Sequence, residues 1–147
     1  MGTPEVTVRP ATVDDCDAVA GLAAELAQSF AFSRPSFDAN YRALLGAANA
    51  CLLVAVSERE YLGYLLGFHH PTFYANGPVA SAEEILVRDN VRGRGVGRAL
   101  MAAFEQWAAG ADCVLATVAT RRAAPFYRAL GYEESAAYFR KPVPRSG

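Results

Sequence analysis

One stretch constrains this chain more than any other: Val87-Arg88-Asp89-Asn90-Val91-Arg92-Gly93-Arg94-Gly95-Val96-Gly97-Arg98-Ala99-Leu100. It leaves an apolar segment, passes through an arginine- and glycine-rich turn, and enters an amphipathic helix. Glycines at three alternate positions let the backbone approach a ligand closely and aim its N–H groups at one point. The helix that starts there presents its unpaired N–H groups and positive dipole end to the same point. Arg92, Arg94 and Arg98 add full charges. The turn is a phosphate cradle between a strand and a helix.

The rest of the chain reads as alternating strands and helices. Residues 6–9 alternate and form a first strand, which Pro10 ends. Thr12, Asp14 and Asp15 supply a cap and first-turn acids for a helix running to about Phe30. Arg34-Pro35-Ser36 breaks that pattern, and a second helix covers residues 37–48. Residues 51–56 and 61–68 form a hairpin around the polar turn at 57–60. An irregular loop follows at 69–78, then a fourth strand at 81–87 that feeds the cradle. Val96, Ala99, Leu100, Ala103, Phe104 and Trp107 recur at helical spacing up to Gly110. Residues 113–118 are apolar on both faces and read as a central strand, parallel to its predecessor through a right-handed crossover. A short helix at 123–130 and a loosely alternating last strand at 132–140 complete one α/β domain over residues 1–147, with its core at about 5–141.

Charge and cysteine content limit the functions open to such a domain. The net charge is −1, and the basic residues of the cradle are concentrated in one short segment. A local positive field suits a compact anion rather than a nucleic-acid backbone. No apolar run approaches the roughly 20 residues of a membrane span, and no secretory leader is visible. Cys16, Cys51 and Cys113 are odd in number and set among apolar residues, as expected of reduced thiols in a cytoplasmic protein. His69 and His70 lack other ligands at metal-binding spacing, so no metal is expected.

Two known phosphate turns do not match. A P-loop needs Gly-Lys-Ser/Thr, which is missing, and a dinucleotide fingerprint needs a glycine where Arg98 stands. The order of elements, with Arg92, Gly95 and Gly97 after the fourth strand, instead resembles the GCN5-related N-acetyltransferases (GNAT superfamily), whose pyrophosphate motif is Gln/Arg-x-x-Gly-x-Gly/Ala. Ala123-x-x-Phe126-Tyr127-x-x-Leu130-Gly131-Tyr132 is similar to their second signature. The chain departs from it at Thr120, where many members carry Asn. The resemblance implies a mixed sheet of about six to seven strands flanked by about four helices, with strands four and five splayed apart. It also implies acetyl-CoA as the acyl donor.

On that resemblance, backbone N–H groups of Arg92, Gly93, Arg94, Gly95, Val96, Gly97 and Arg98 bind the pyrophosphate of coenzyme A, helped by the Arg92 and Arg94 side chains. Backbone groups of Leu86, Val87 and Arg88 pair with the pantetheine arm and polarise the thioester carbonyl, and Thr120 stands near that arm. Tyr127 is the candidate donor to the departing thiolate, since a phenol stays protonated at neutral pH. Glu83 and Glu84 are the candidate bases for an acceptor amine. Adjacent strand residues face opposite sides, so one of the two faces the cleft, and Glu83 is favoured. The implied reaction is direct attack of an amine on acetyl-CoA in a ternary complex, with a small-molecule acceptor. A protein or peptide amine, or a non-catalytic acyl-CoA-binding module, is the alternative. A homodimer paired through an edge strand is a further expectation.

Overall fold

Alternation along β2 (Ala50–Ser57) sets up the two sides of the molecule. Leu53 and Ala55 enter one apolar cluster, and Leu52 and Val54 enter the other. The computed structural model describes residues 5–27 and 30–146. The N-terminal residues 1–4 and residues 28–29, onto which the first helix was expected to run, lie outside that range. The sheet has the order β1 (Thr7–Pro10), β2, β3 (Glu60–His70), β4 (Val79–Val87) and β5 (Leu115–Val118). Its neighbours are antiparallel except for the parallel pair β4 and β5.

Helices α1 (Cys16–Leu26) and α2 (Arg34–Leu45) cover one face, burying Val19, Leu22 and Tyr41 against Leu52, Val54, Tyr64 and Leu66. Helices α3 (Val96–Gly110) and α4 (Ala124–Ala129) contribute Leu100, Met101, Phe104 and Tyr127 to the core of the other face. Two turns of 3-10 helix, Val13–Asp15 and Asp89–Val91, lead into α1 and toward the cradle. The first is clasped by buried Asp15. Its carboxylate accepts two bonds from Arg9 at 2.8 and 2.9 Å, one from Tyr61 Oη at 2.6 Å and one from the Thr12 N–H at 2.8 Å. These donors hold the Asp15 carboxyl well below the usual carboxylate range, the Arg9 guanidinium contributing most.

Three expectations need correction. Arg34-Pro35-Ser36 does not interrupt the helix but forms the first turn of α2. Proline is tolerated there because its missing N–H would have no partner, and Ser33 caps the turn by accepting from the Ser36 N–H. The described residues form five strands rather than six to seven. Residues 133–146 are exposed along their length and form no strand, with Glu134 reaching back to Arg128 of α4 at 3.6 Å. Finally, β5 is not central. Among the described residues it lies at the sheet edge, paired with β4 alone, with its first residue Leu115 44% exposed.

Candidate active site

The cradle is built by backbone conformation. Gly93 and Gly95 adopt φ of 85° and 81°, in the left-handed region, and Gly95 is the N-cap of α3. The first intrahelical bond runs from the Ala99 N–H to the Gly95 carbonyl at 3.0 Å. The N–H groups of Val96, Gly97 and Arg98 therefore precede any carbonyl of their own helix and face outward from its N-terminus. Buried Val91 and Val96 pin the turn at both ends. Gly97 lies against α4: a Cβ there would stand 3.2 Å from the Phe126 ring. Arg94 and Arg98 are exposed at the mouth, and Arg92 pairs with Asp89 at 2.9 Å on the surface.

Beside the cradle the sheet opens. Pairing between β4 and β5 runs from Val79 opposite Leu115 to Ala82 opposite Val118 and stops there, whereas β4 continues to Val87. The Arg88 N–H donates to the Leu62 carbonyl of β3 at 2.9 Å. Backbone groups alternate in direction along an antiparallel strand, so the Leu86 amide also faces β3 while those of Ile85 and Val87 face the gap. Of the three backbone positions implicated from sequence, only Val87 turns its amide toward the opening. The Arg88 side chain is half-buried, and its Nε is enclosed without a hydrogen-bond partner among the described residues.

Tyr127 projects from α4 into the core on this same side, 6% exposed, with the rings of Phe126 and Tyr132 edge-on at 5.0 and 6.0 Å. Burial pushes its phenol pKa up, keeping the proton on at neutral pH. Thr120 is used locally: its Oγ1 accepts from the Ala123 N–H at 3.0 Å, fixing the entry into α4.

The two carboxylates occupy the opposite face, and here the structure departs from the expectation that only one faces the cleft. Opposite β3, Leu66 pairs with Glu84 but Gly67 pairs with Ala82, so Glu83 is the extra residue of a β-bulge. The bulge resets the alternation. Ala82 belongs to the α3–α4 core, while Glu83 and Glu84 both line an open cavity of about 620 Å³ together with Asn40, Ala43, Leu44, Leu66 and Phe68. Glu84 accepts from buried Tyr64 Oη at 2.7 Å, and Glu83 accepts from Ser81 Oγ at 2.9 Å. Tyr64 and Asn40 were missed from sequence. The alternation of β3 places Tyr64 in the core, and only the register with β4 shows that its hydroxyl ends on a carboxylate.

His69 is directed elsewhere, with its ring 5.0 Å from Trp107 of α3. No group of His, Cys, Asp and Glu among the described residues has the arrangement of a metal site. The three cysteines are free, and burial raises the Cys51 thiol to about 11.

Comparison with known proteins decides the family. The model of the acetyltransferase (GNAT) family matches residues 20–132, more than half of the chain. The chain belongs to the GNAT family. A curated relative, aminoglycoside N(6')-acetyltransferase type 1 of Stenotrophomonas maltophilia, is 33% identical over 116 residues, covering 71% of this chain and 74% of its own. The fold agrees with aminoglycoside N-acetyltransferase AAC(6')-Iy solved in complex with CoA, at TM-score 0.84 and 21% identity over 97% of this chain and 98% of that one. It agrees equally with glucosamine-6-phosphate N-acetyltransferase of Arabidopsis thaliana, at TM-score 0.84 and 14% identity over 95% and 99%. This GNAT chain is an acetyl-CoA-dependent N-acetyltransferase. Its cradle fits that donor, because the outward N–H groups of α3 and the gap-facing Val87 amide offer donors to a pyrophosphate and an amide-bearing arm in succession.

Proposed function

We propose that this enzyme acetylates a primary amine of a small, cationic molecule, an amino sugar of the aminoglycoside type, by direct attack in a ternary complex. The observation that carries this reading is the bulge at Glu83, which puts two carboxylates side by side on one wall of an open cavity. Such a wall attracts an ammonium group, and one carboxylate can then take its proton. The similarity to an aminoglycoside N(6')-acetyltransferase supports the same acceptor class.

The residues divide the work as follows. Backbone N–H groups of residues 92–98, with the Arg92 and Arg94 side chains, hold the pyrophosphate of acetyl-CoA. The Val87 N–H donates to the thioester oxygen as charge develops on it. Glu84, held by Tyr64, or Glu83, held by Ser81, accepts the ammonium proton. The freed amine attacks the acetyl carbonyl carbon, a C–N bond forms and the C–S bond breaks. Tyr127 donates its phenolic proton to the departing thiolate, and the second proton lost by the nitrogen as the amide forms restores the phenol, so that the products are the amide and the free thiol. The cell compartment in this reading is the cytoplasm, where Cys16, Cys51 and Cys113 stay reduced.

The test is thiol release from acetyl-CoA with a panel of aminoglycosides that carry or lack a 6'-amine, alongside simple polyamines and short peptides. Turnover concentrated on the amino sugars supports the reading. Turnover on peptides alone, or release no faster than hydrolysis across the panel, overturns it.

A further inference from the structure

Helix α2 carries one residue that its packing does not call for. Phe37, Tyr41, Leu44 and Leu45 join the apolar cluster on this face of the sheet. Asn40 stands three residues after Phe37 and four before Leu44, on the same side of the helix. An apolar residue there would continue the stripe. Asn40 is exposed instead, and its side chain makes no hydrogen bond among the described residues. It lines the open cavity of about 620 Å³ together with Glu83 and Glu84 of β4.

A smaller recess of about 130 Å³ adjoins that cavity and shares Asn40, Leu44, Leu66 and Glu84 with it. It is somewhat smaller than the roughly 150 Å³ that holds a benzene ring, so a group that bridges Glu84 and Asn40 inside it has about five heavy atoms. The hydrogen-bonding capacity of the two spaces is unevenly spent. Ionised Glu83 and Glu84 only accept. Tyr41 and Tyr64, which also line the recess, give their hydroxyl protons to the Thr12 carbonyl and to Glu84. Asn40 therefore holds the uncommitted side-chain donors of both spaces among the described residues. An ammonium group matches the carboxylates, an oxygen that accepts matches the Asn40 amide, and Leu44 and Leu66 suit the carbons that join them.

We propose that Asn40 is the specificity residue of this cavity, and that it reads an oxygen, hydroxyl or ether, on the carbon next to the one that bears the acceptor's amine. Nitrogen, two carbons and oxygen make a unit short enough for the recess. The Asn40 Nδ2 donates to the oxygen while the ammonium lies against Glu83 and Glu84. A plain alkylamine meets the carboxylates as well but leaves the Asn40 donors without a partner in the bound state, which is the costly case for discrimination. The inference rests on the reading that this cavity receives the acceptor amine, and it narrows the acceptor to amines with a neighbouring oxygen.

The experiment compares kcat/KM for two amines of nearly equal shape. Tetrahydrofurfurylamine has a ring oxygen beside the carbon that bears its aminomethyl group, and cyclopentylmethylamine has a methylene in that place. Both are measured on the wild type, Asn40→Leu and Asn40→Ala, with coenzyme A affinity on each preparation. The wild type should favour the oxygen-bearing amine, and the ratio of the two values should fall about 10-fold in both variants with coenzyme affinity unaltered. Leucine and alanine form helix better than asparagine and the position is exposed, so the fold is retained. Loss of packing alone would affect the two amines alike and leave their ratio unchanged. A ratio equal in the wild type and both variants, or no turnover of the oxygen-bearing amine, overturns the proposal. The Glu83→Gln, Glu84→Gln double variant tells the two failures apart: it slows both amines if only the role of Asn40 is wrong, and slows neither if the cavity does not receive the amine.

Discussion

Tyr64 on β3 donates its hydroxyl hydrogen bond to Glu84 on β4 at 2.7 Å, from a ring that is only 2% exposed. A buried, well-packed donor fixes the direction of the carboxylate at the cavity wall, so the proposed base is positioned by the core rather than by solvent. Tyr64→Phe keeps the ring and removes this bond. It should lower kcat/KM for the acceptor by about 5-fold, the worth of roughly 1 kcal/mol, with little change in coenzyme affinity. Steady-state kinetics with the acceptor varied checks this, and an unchanged kcat/KM removes Tyr64 from the positioning role.

Tyr127 should act through its proton. Tyr127→Phe is expected to lower kcat about 100-fold and leave the Kd for coenzyme A nearly unaltered. Burial raises the phenol pKa, and a raised value extends the protonated range upward. Loss of rate on the alkaline side therefore begins above pH ~10, the ordinary phenol value. A descending limb near neutrality that disappears in the Phe variant contradicts the assignment.

The cradle depends on left-handed backbone at Gly95. The space around it is open, so Gly95→Ala introduces no clash and its cost is conformational, about 1–2 kcal/mol. The turn either strains or rearranges, and both outcomes weaken the aim of the first N–H groups of α3. Calorimetry should show coenzyme A bound about 10-fold more weakly, with KM for the acceptor little altered. Equal affinity in the variant excludes the turn as the pyrophosphate site.

Asp15 ties β1, the 3-10 turn and β3 together, and its carboxyl is held below the ordinary range chiefly by Arg9. A depressed pKa in the folded state means stability that is present above the unfolded value of about 3.9 and is lost as pH falls below it. Asp15→Asn should cost about 2 kcal/mol at pH 7, a moderate figure because Arg9 remains partly solvated. The variant's Tm should converge on the wild-type Tm between pH 5 and about pH 2. A constant difference in Tm across that range contradicts the linkage.

The parts of the site that were legible in the sequence are local ones. Gly93, Gly95 and Gly97 are read directly because left-handed turns and close approaches select glycine at fixed spacing. The short helix that carries Tyr127 is legible from Pro125 in its first turn and Gly131 beyond its end. What escaped depends on which strand lies beside which. The bulge at Glu83 exists only in the register between β3 and β4, so a rule of strict alternation assigned the two carboxylates to opposite faces. The apolar run at 113–118 reads as central because composition reports how well a strand packs and pairs, not where in the sheet it lies. Pro35 reads as a breaker by composition, although the same ring that stops a helix interior is suited to its first turn.

The decisive measurement is kcat/KM for an aminoglycoside acceptor in the Glu83→Gln, Glu84→Gln double variant, with coenzyme A affinity measured on the same preparation. The predicted result is a loss of about 100-fold or more with coenzyme affinity within about twofold of wild type. Turnover equal to wild type, with coenzyme still bound, contradicts the claim that this wall of the cavity receives and deprotonates the acceptor amine.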